Sequence, residues 1–138
     1  MVEIKFFVPG IPQTKGSTRG FVGRSKKTGK PVAIITNDNP KNKPWARQVA
    51  MEARKYAPAQ PMAGPVYLEL AFFLKRPQRP KHPVYPITKP DLDKTTRSIK
   101  DALKDARIYR DDSQVCAMHC RKFGIPGVSI AVKDMEGL

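Results

Sequence analysis

Between residues 91 and 112 the chain places Asp91, Asp93, Asp101, Asp105, Asp111 and Asp112, half of the 12 Asp+Glu in a sequence that carries 26 Lys+Arg and a formal charge of +14. So dense an acidic stretch in so basic a chain needs a physical reason. Two carboxylates about 4 Å apart repel by about 4 kcal/mol at an effective dielectric near 20. Such a cluster persists by holding protons or by holding a cation. Hard oxygen ligands at a site open to substrate favour Mg²⁺, which is held by one or two carboxylates together with phosphate oxygens. Carboxylates for a divalent ion, set in a cationic surface for phosphates, are the equipment of phosphodiester hydrolysis.

Not all six acids are needed. In "PDLD" Asp91 stands at or next to a helix N-cap and Asp93 in the first turn, where carboxylates meet unpaired backbone N–H groups and the positive helix end. Capping explains one of them well, both less well, and says nothing of the pair at 111–112. Asp101 and Asp105 read as a solvated, charge-laced helix face, with Arg97 four residues before Asp101 and Lys104 beside Asp105. Asp91, Asp93 and one of Asp111 or Asp112 are left as the chemical group. A helix from 93 to 105 is about 18 Å long, and the six residues after it reach back at most about 20 Å. The acids therefore meet either within one chain, with little slack, or across a dimer.

The elements that would position them follow from periodicity and turn chemistry. "VEIKFFV" (2–8) is a strand stopped by Pro9-Gly10, and residues 10–31 are a basic Gly/Ser/Thr loop. "VAIIT" (32–36) is a strand, and a helix runs from about Pro44 to Tyr56 with Trp45, Val49, Ala53 and Tyr56 on one face. "GPVYLELAFFLK" (64–75) reads as a central strand. The Pro-rich stretch 76–90 is a loop, because no regular element absorbs so many prolines. A helix from Leu92 to about Ala106 buries Leu92, Thr96, Ile99, Leu103 and Ala106, and strands 113–123 and 128–133 close the chain. The order β-β-α-β-α-β-β predicts a single α+β domain over 1–138, a two-layer fold with two main helices packed on one face of a mixed sheet.

Composition narrows the function. Charge spread through both halves of the chain points to a polyanion bound through phosphates by a folded surface. Only two histidines, His82 and His119, are present, so histidine-rich nuclease and zinc sites are hard to build. In "CAMHC" strand alternation turns His119 away from Cys116 and Cys120. Tyr109, beside the acids, is a packing residue before it is a nucleophile, and no phosphate-binding "GxxxxGKS" loop occurs. Two cysteines make no disulfide framework. The N-terminus lacks a secretory signal pattern and the longest apolar run, 66–74, is too short to cross a bilayer, so a cytoplasmic setting with no membrane partner is expected.

"KPDLDKTTRSIKDAL" followed by "IYRDDSQV" resembles the signature of the RusA-like Holliday junction resolvases, in which "DLDN" opens a helix, a basic residue follows one turn on, and "DAL" and "DD-x-QV" come after. "VPGIPQTKGSTR" is similar to the "G-x-P-x-x-K-x-R-x-R" loop of many phage members. The resemblance implies that Asp91, Asp93 and Asp112 are metal-binding catalytic acids, with Asp111 a neighbour. Arg97 falls where the family has a catalytic lysine, and Lys94 replaces the usual Asn. Arg97 keeps the charge but cannot donate a proton, so Lys94 or Lys100 is the alternative ammonium.

The expectation is thus a Mg²⁺-dependent homodimeric endodeoxyribonuclease, with Mn²⁺ as a substitute, that cuts four-way or branched DNA through direct attack of water. Its phosphate contacts would come from Lys15, Arg19, Arg24, Lys26, Lys27, Lys30, Arg76, Arg79 and Lys81. The alternatives are a non-catalytic basic module for RNA or branched DNA, and a family member that binds junctions without cutting them.

Overall fold

The computed structural model describes residues 2–137 apart from 17, 38, 76–77 and 125–126, and of residues 18–21 and 34–37 the backbone alone. Its elements are β1 (Glu3–Val8), β2 (Thr18–Arg24), β3 (Pro31–Asn37), α1 (Asn42–Arg54), β4 (Val66–Phe73), α2 (Leu92–Asp105), a 3₁₀ turn (Asp112–Gln114), β5 (Val115–Phe123) and β6 (Gly127–Asp134). Four strands form one sheet in the order β1-β6-β4-β5. β6 runs antiparallel to both β1 and β4, whereas β4 and β5 are parallel. A parallel pair needs a crossover connection, and α2 is that connection. This is the expected α+β architecture with a mixed sheet.

Alternation sorts each strand between two faces. Ile4, Phe6 and Val8 of β1, Leu68, Leu70 and Phe72 of β4, and Val128, Ile130 and Val132 of β6 point to one side and are buried. Trp45, Val49 and Ala53 of α1, Ile99 and Leu103 of α2 and Ala106 just after it join them in one core. Each fully buried Leu, Ile or Phe contributes about 1.5–3 kcal/mol, so this face holds both helices on the sheet. Tyr56, expected in the α1 stripe, lies just beyond the helix and stays partly exposed, with its ring stacked on Phe6 at 5.2 Å.

The other sheet face carries no helix. Phe7, Phe73, Phe123 and Tyr85 form a chain of ring contacts that crosses one end of it from β1 towards β5, with centroids 5.4–6.1 Å apart. Gly127 permits this: at φ +134, a Cβ there would come 2.3 Å from Cζ of Phe7.

One stretch differs from the sequence reading. Residues 10–31, read as a loop, contain β2, which pairs with β3 in a separate two-stranded sheet. Its two glycines are poor strand formers. Pairing stabilises the strand instead: the turn is closed by Ser25 N–H to Lys30 O at 2.9 Å and Gly29 N–H to Ser25 O at 2.8 Å, with Gly29 at φ +66. Cross-strand partners, not local propensity, decide such an element.

Candidate active site

The start of α2 is fixed from three directions. Thr95 sends its hydroxyl back to the carbonyls of Asp91 (3.1 Å) and Leu92 (2.9 Å), which tightens the first turn. Lys122 of β5 donates from Nζ to the carbonyls of Thr88 (2.9 Å) and Pro90 (3.3 Å), immediately ahead of Asp91. The N–H of Lys15 bonds the carbonyl of Lys94 at 3.1 Å, so the basic loop lies along the helix. Asp91 occupies the N-cap position, yet its carboxylate makes no capping hydrogen bond. It faces Lys94 Nζ at 3.8 Å instead. Asp93, in the first turn, is exposed beside Arg97 and Lys100 along a shallow recess floored by Met118 and Cys120. Two carboxylates thus stand at the helix start without being consumed by it.

A second acidic station lies further along. After α2, Arg107 at φ +64 turns the chain, and Tyr109 is buried with its hydroxyl donating to Lys100 O at 2.7 Å. That is the packing role expected of Tyr109, and burial, then the charges of Asp112, Asp101 and Asp111, push its hydroxyl pKa up. Gln114 organises the turn that follows. Its Oε1 accepts from the N–H of Arg110 and of Asp111, both at 2.8 Å, while Nε2 donates to Met62 O (2.7 Å) and Gly64 O (3.0 Å). Asp111 completes a capping box, accepting from Ser113 N–H at 3.1 Å, and pairs with Lys104 at 3.4 Å. Hydrogen bonds from the Ser113 side chain and backbone, then Lys104, hold its pKa down. Asp111 is therefore engaged in structure.

Asp112 is not. Its carboxyl group lies against that of Asp101, and its Oδ1 is buried with no hydrogen-bond partner among the described residues. Burial, then hydrogen bonding to and repulsion by Asp101, push Asp112 up to about 6, against the pull of Lys100 and Lys104. Burial also opposes ionisation of Asp101. There the hydrogen bonds of Lys15 and Asp112, with the charges of Lys15 and Lys104, outweigh burial and hold Asp101 below its ordinary value. Of the two, Asp112 is the one whose proton is held more tightly. Asp101 is thus no solvated surface acid as the sequence suggested: it is half-buried, bonded to Lys15 Nζ and in contact with Asp112.

The two stations do not merge within one protomer. Asp93 and Asp101 are eight residues apart on one continuous helix, a rise of about 12 Å. Among the described residues, no three His, Cys, Asp or Glu gather closely enough to hold a metal ion. Lys100 is the cation placed between the stations: it flanks Asp93 and acts electrostatically on Asp112. Arg97 flanks Asp93, and Lys94 faces Asp91.

Of the cations expected on nucleic acid, Arg24, Lys26, Lys27 and Lys30 are exposed around the β2–β3 turn, and Arg79 and Lys81 are exposed in the loop before α2. Lys15 is committed to Asp101. The Arg19 side chain and Arg76 lie outside the described residues. His119 stands exposed on β5. Sequence reasoning missed Asp101, Gln114 and Lys122. The signals for the first two were present, since they are the acid of "DAL" and the Gln of "DD-x-QV"; nothing in the sequence marks Lys122.

Among the described residues no helix is long and apolar enough to cross a membrane. The chain is 30% identical over 146 residues to a protein of Bacillus subtilis (strain 168) described as "Uncharacterized protein YqaN", covering 96% of this chain and 97% of that one. The sequence profile of the family described as Endodeoxyribonuclease RusA matches residues 9–133, nearly the whole fold and both acidic stations, and the chain therefore belongs to the RusA endodeoxyribonuclease family.

Proposed function

We propose that this protein is a Mg²⁺-dependent homodimeric endodeoxyribonuclease acting on four-way or branched DNA, in which Asp91 and Asp93 of one protomer join Asp112 of the partner subunit. The observation that carries this reading is Asp112 itself: a carboxylate with one buried oxygen that has no partner among the described residues, lying against Asp101, which stands about 12 Å along α2 from Asp93. A buried oxygen without a donor is a costly arrangement that a cation relieves. Hard carboxylate oxygens fit Mg²⁺, which when bound supplies activation of water and stabilisation of charge on the phosphate. Mn²⁺ fits the same oxygens.

The chain's own residues supply the rest. Asp91 and Asp93, left free by the capping geometry, present oxygens at the helix start. Lys100 and Arg97 hold the phosphate and offset the charge developing on it. Lys122 and Thr95 keep the helix start in place, and Gln114 aims Asp112. The helix-free sheet face, with its partly exposed aromatic row, offers a partner an apolar surface. A two-fold dimer matches a two-fold junction.

A non-catalytic DNA-binding module is the second reading, favoured by the absence of a three-carboxylate group among the described residues of one protomer. One experiment separates them. The protein is incubated with a synthetic four-way junction and with a linear duplex, in Mg²⁺ or EDTA, beside Asp93→Asn. Paired nicks in the junction alone, abolished by EDTA and by the substitution while binding persists, are the expected result. Binding without cutting under every divalent ion would leave the module.

A further inference from the structure

Between α1 and α2 runs an open groove of about 940 Å³ whose α1 wall carries Lys43, Arg47 and Arg54. These residues recur at i, i+4 and i+11, which sets them along one side of the helix, about 6 Å and then about 10 Å apart. All three are exposed, and none makes an ion pair or side-chain hydrogen bond among the described residues. The one acid of α1, Glu52, is taken by Lys55 at 2.9 Å. Asn42 and Ser98 bond each other across the groove and brace its two walls.

The charges facing the groove are four cations, Lys15, Lys43, Arg47 and Arg54, against Asp101 and Asp105. Lys15 neutralises Asp101, so the uncompensated charge on the α1 wall is positive. Asp101, which lines the groove, also lies against Asp112, so the groove abuts the second acidic station.

We infer that the α1 stripe of Lys43, Arg47 and Arg54 is a phosphate track that carries one duplex arm of the substrate away from the cleavage site. The inference rests on the DNA-cutting reading above and extends it to a surface outside both acidic stations and both basic loops. Contacts to phosphates position a duplex without reading its sequence. Each also contributes about 0.9 to the slope of log K against log salt.

The test is a salt titration of junction binding by the protein in Ca²⁺, comparing wild type with Lys43→Gln/Arg47→Gln/Arg54→Gln. Glutamine preserves helix propensity at these exposed positions, and thermal melts confirm the fold. The slope is expected to fall by about 2–3, with long-armed junctions losing the most affinity. A control, Lys5→Gln/Lys133→Gln, removes positive charge from β1 and β6, away from α1, and is expected to leave most of the slope. An unchanged slope in the α1 variant, or an equal fall in the control, would overturn the track. So would a variant that keeps its DNA slope but loses binding to polyglutamate, which would make the groove a site for an acidic peptide. If wild-type protein binds no junction at all, the nuclease reading falls together with this one; if wild type binds and cuts while the α1 variant keeps its slope, the track alone falls.

Discussion

Asp112 lies against Asp101 with its Oδ1 buried and without a hydrogen-bond partner among the described residues, and burial, then the Asp101 carboxyl, raise its pKa. The folded pKa of Asp112, about 6, is raised above its ordinary 3.8, and the native state therefore binds more protons between those values. The associated stability is present at low pH and is lost as pH rises through about 6. Asp112→Asn should accordingly raise Tm at pH 7.5 in the absence of divalent ions and change it little at pH 5. Melting curves at the two pH values check this. Equal effects at both would mean that repulsion between the acids is not what the substitution relieves. Mg²⁺ should raise the wild-type Tm at pH 7.5 and leave that of Asp112→Asn nearly unchanged.

Gln114 makes four hydrogen bonds, two accepted from the N–H groups of Arg110 and Asp111 in the turn bearing Asp112 and two donated to the carbonyls of Met62 and Gly64 ahead of β4. At about 1 kcal/mol or less for each partly exposed bond, Gln114→Ala should cost about 2–3 kcal/mol. For a domain of this size that is roughly 6–12 °C in Tm. Thermal unfolding measures it, and a shift under about 2 °C would show that water replaces the side chain without penalty.

These two residues illustrate what the sequence made legible. Apolar periodicity located the four sheet strands, both helices and the central place of β4, because burial imposes a period on each element. The acids at 91, 93, 111 and 112 stood out because like charges do not cluster without cause. Asp101 did not, since an acid with Arg97 and Lys104 near it in sequence looks solvated. Its partners Lys15 and Asp112 reach it from distant segments. The strand β2 was hidden for the same reason, as pairing with β3 outweighs its own composition. Lys122 was invisible because a strand lysine gives no sign that it clamps the carbonyls ahead of α2.

Lys100 rather than Arg97 is placed to act on both stations. Lys100→Met should therefore reduce kcat by about 10² or more while leaving junction affinity within a few-fold, as expected for a group whose charge counts most in the transition state. A second readout needs no catalysis. Lys100 favours the ionised form of Asp112, so its removal should move the Asp112 titration in metal-free protein to higher pH, followed through the side-chain carboxyl carbon by NMR. An unmoved titration would place Lys100 outside the site.

The separation of the stations along α2 makes the composite site testable by mixing two inactive proteins. If Asp91 and Asp93 of one protomer work with Asp112 of the partner subunit, a dimer of one Asp93→Asn and one Asp112→Asn protomer contains one site with both lesions and one with none. Random exchange makes about half of the dimers mixed, so about a quarter of wild-type nicking sites should return. The products should be single nicks rather than paired ones, since each rescued dimer keeps one working site. If each site instead lay within one protomer, every site in the mixture would carry a lesion and no activity would return. Co-expression of two differently tagged variants, tandem purification of the mixed dimer and a nicking assay on a labelled junction distinguish the two arrangements.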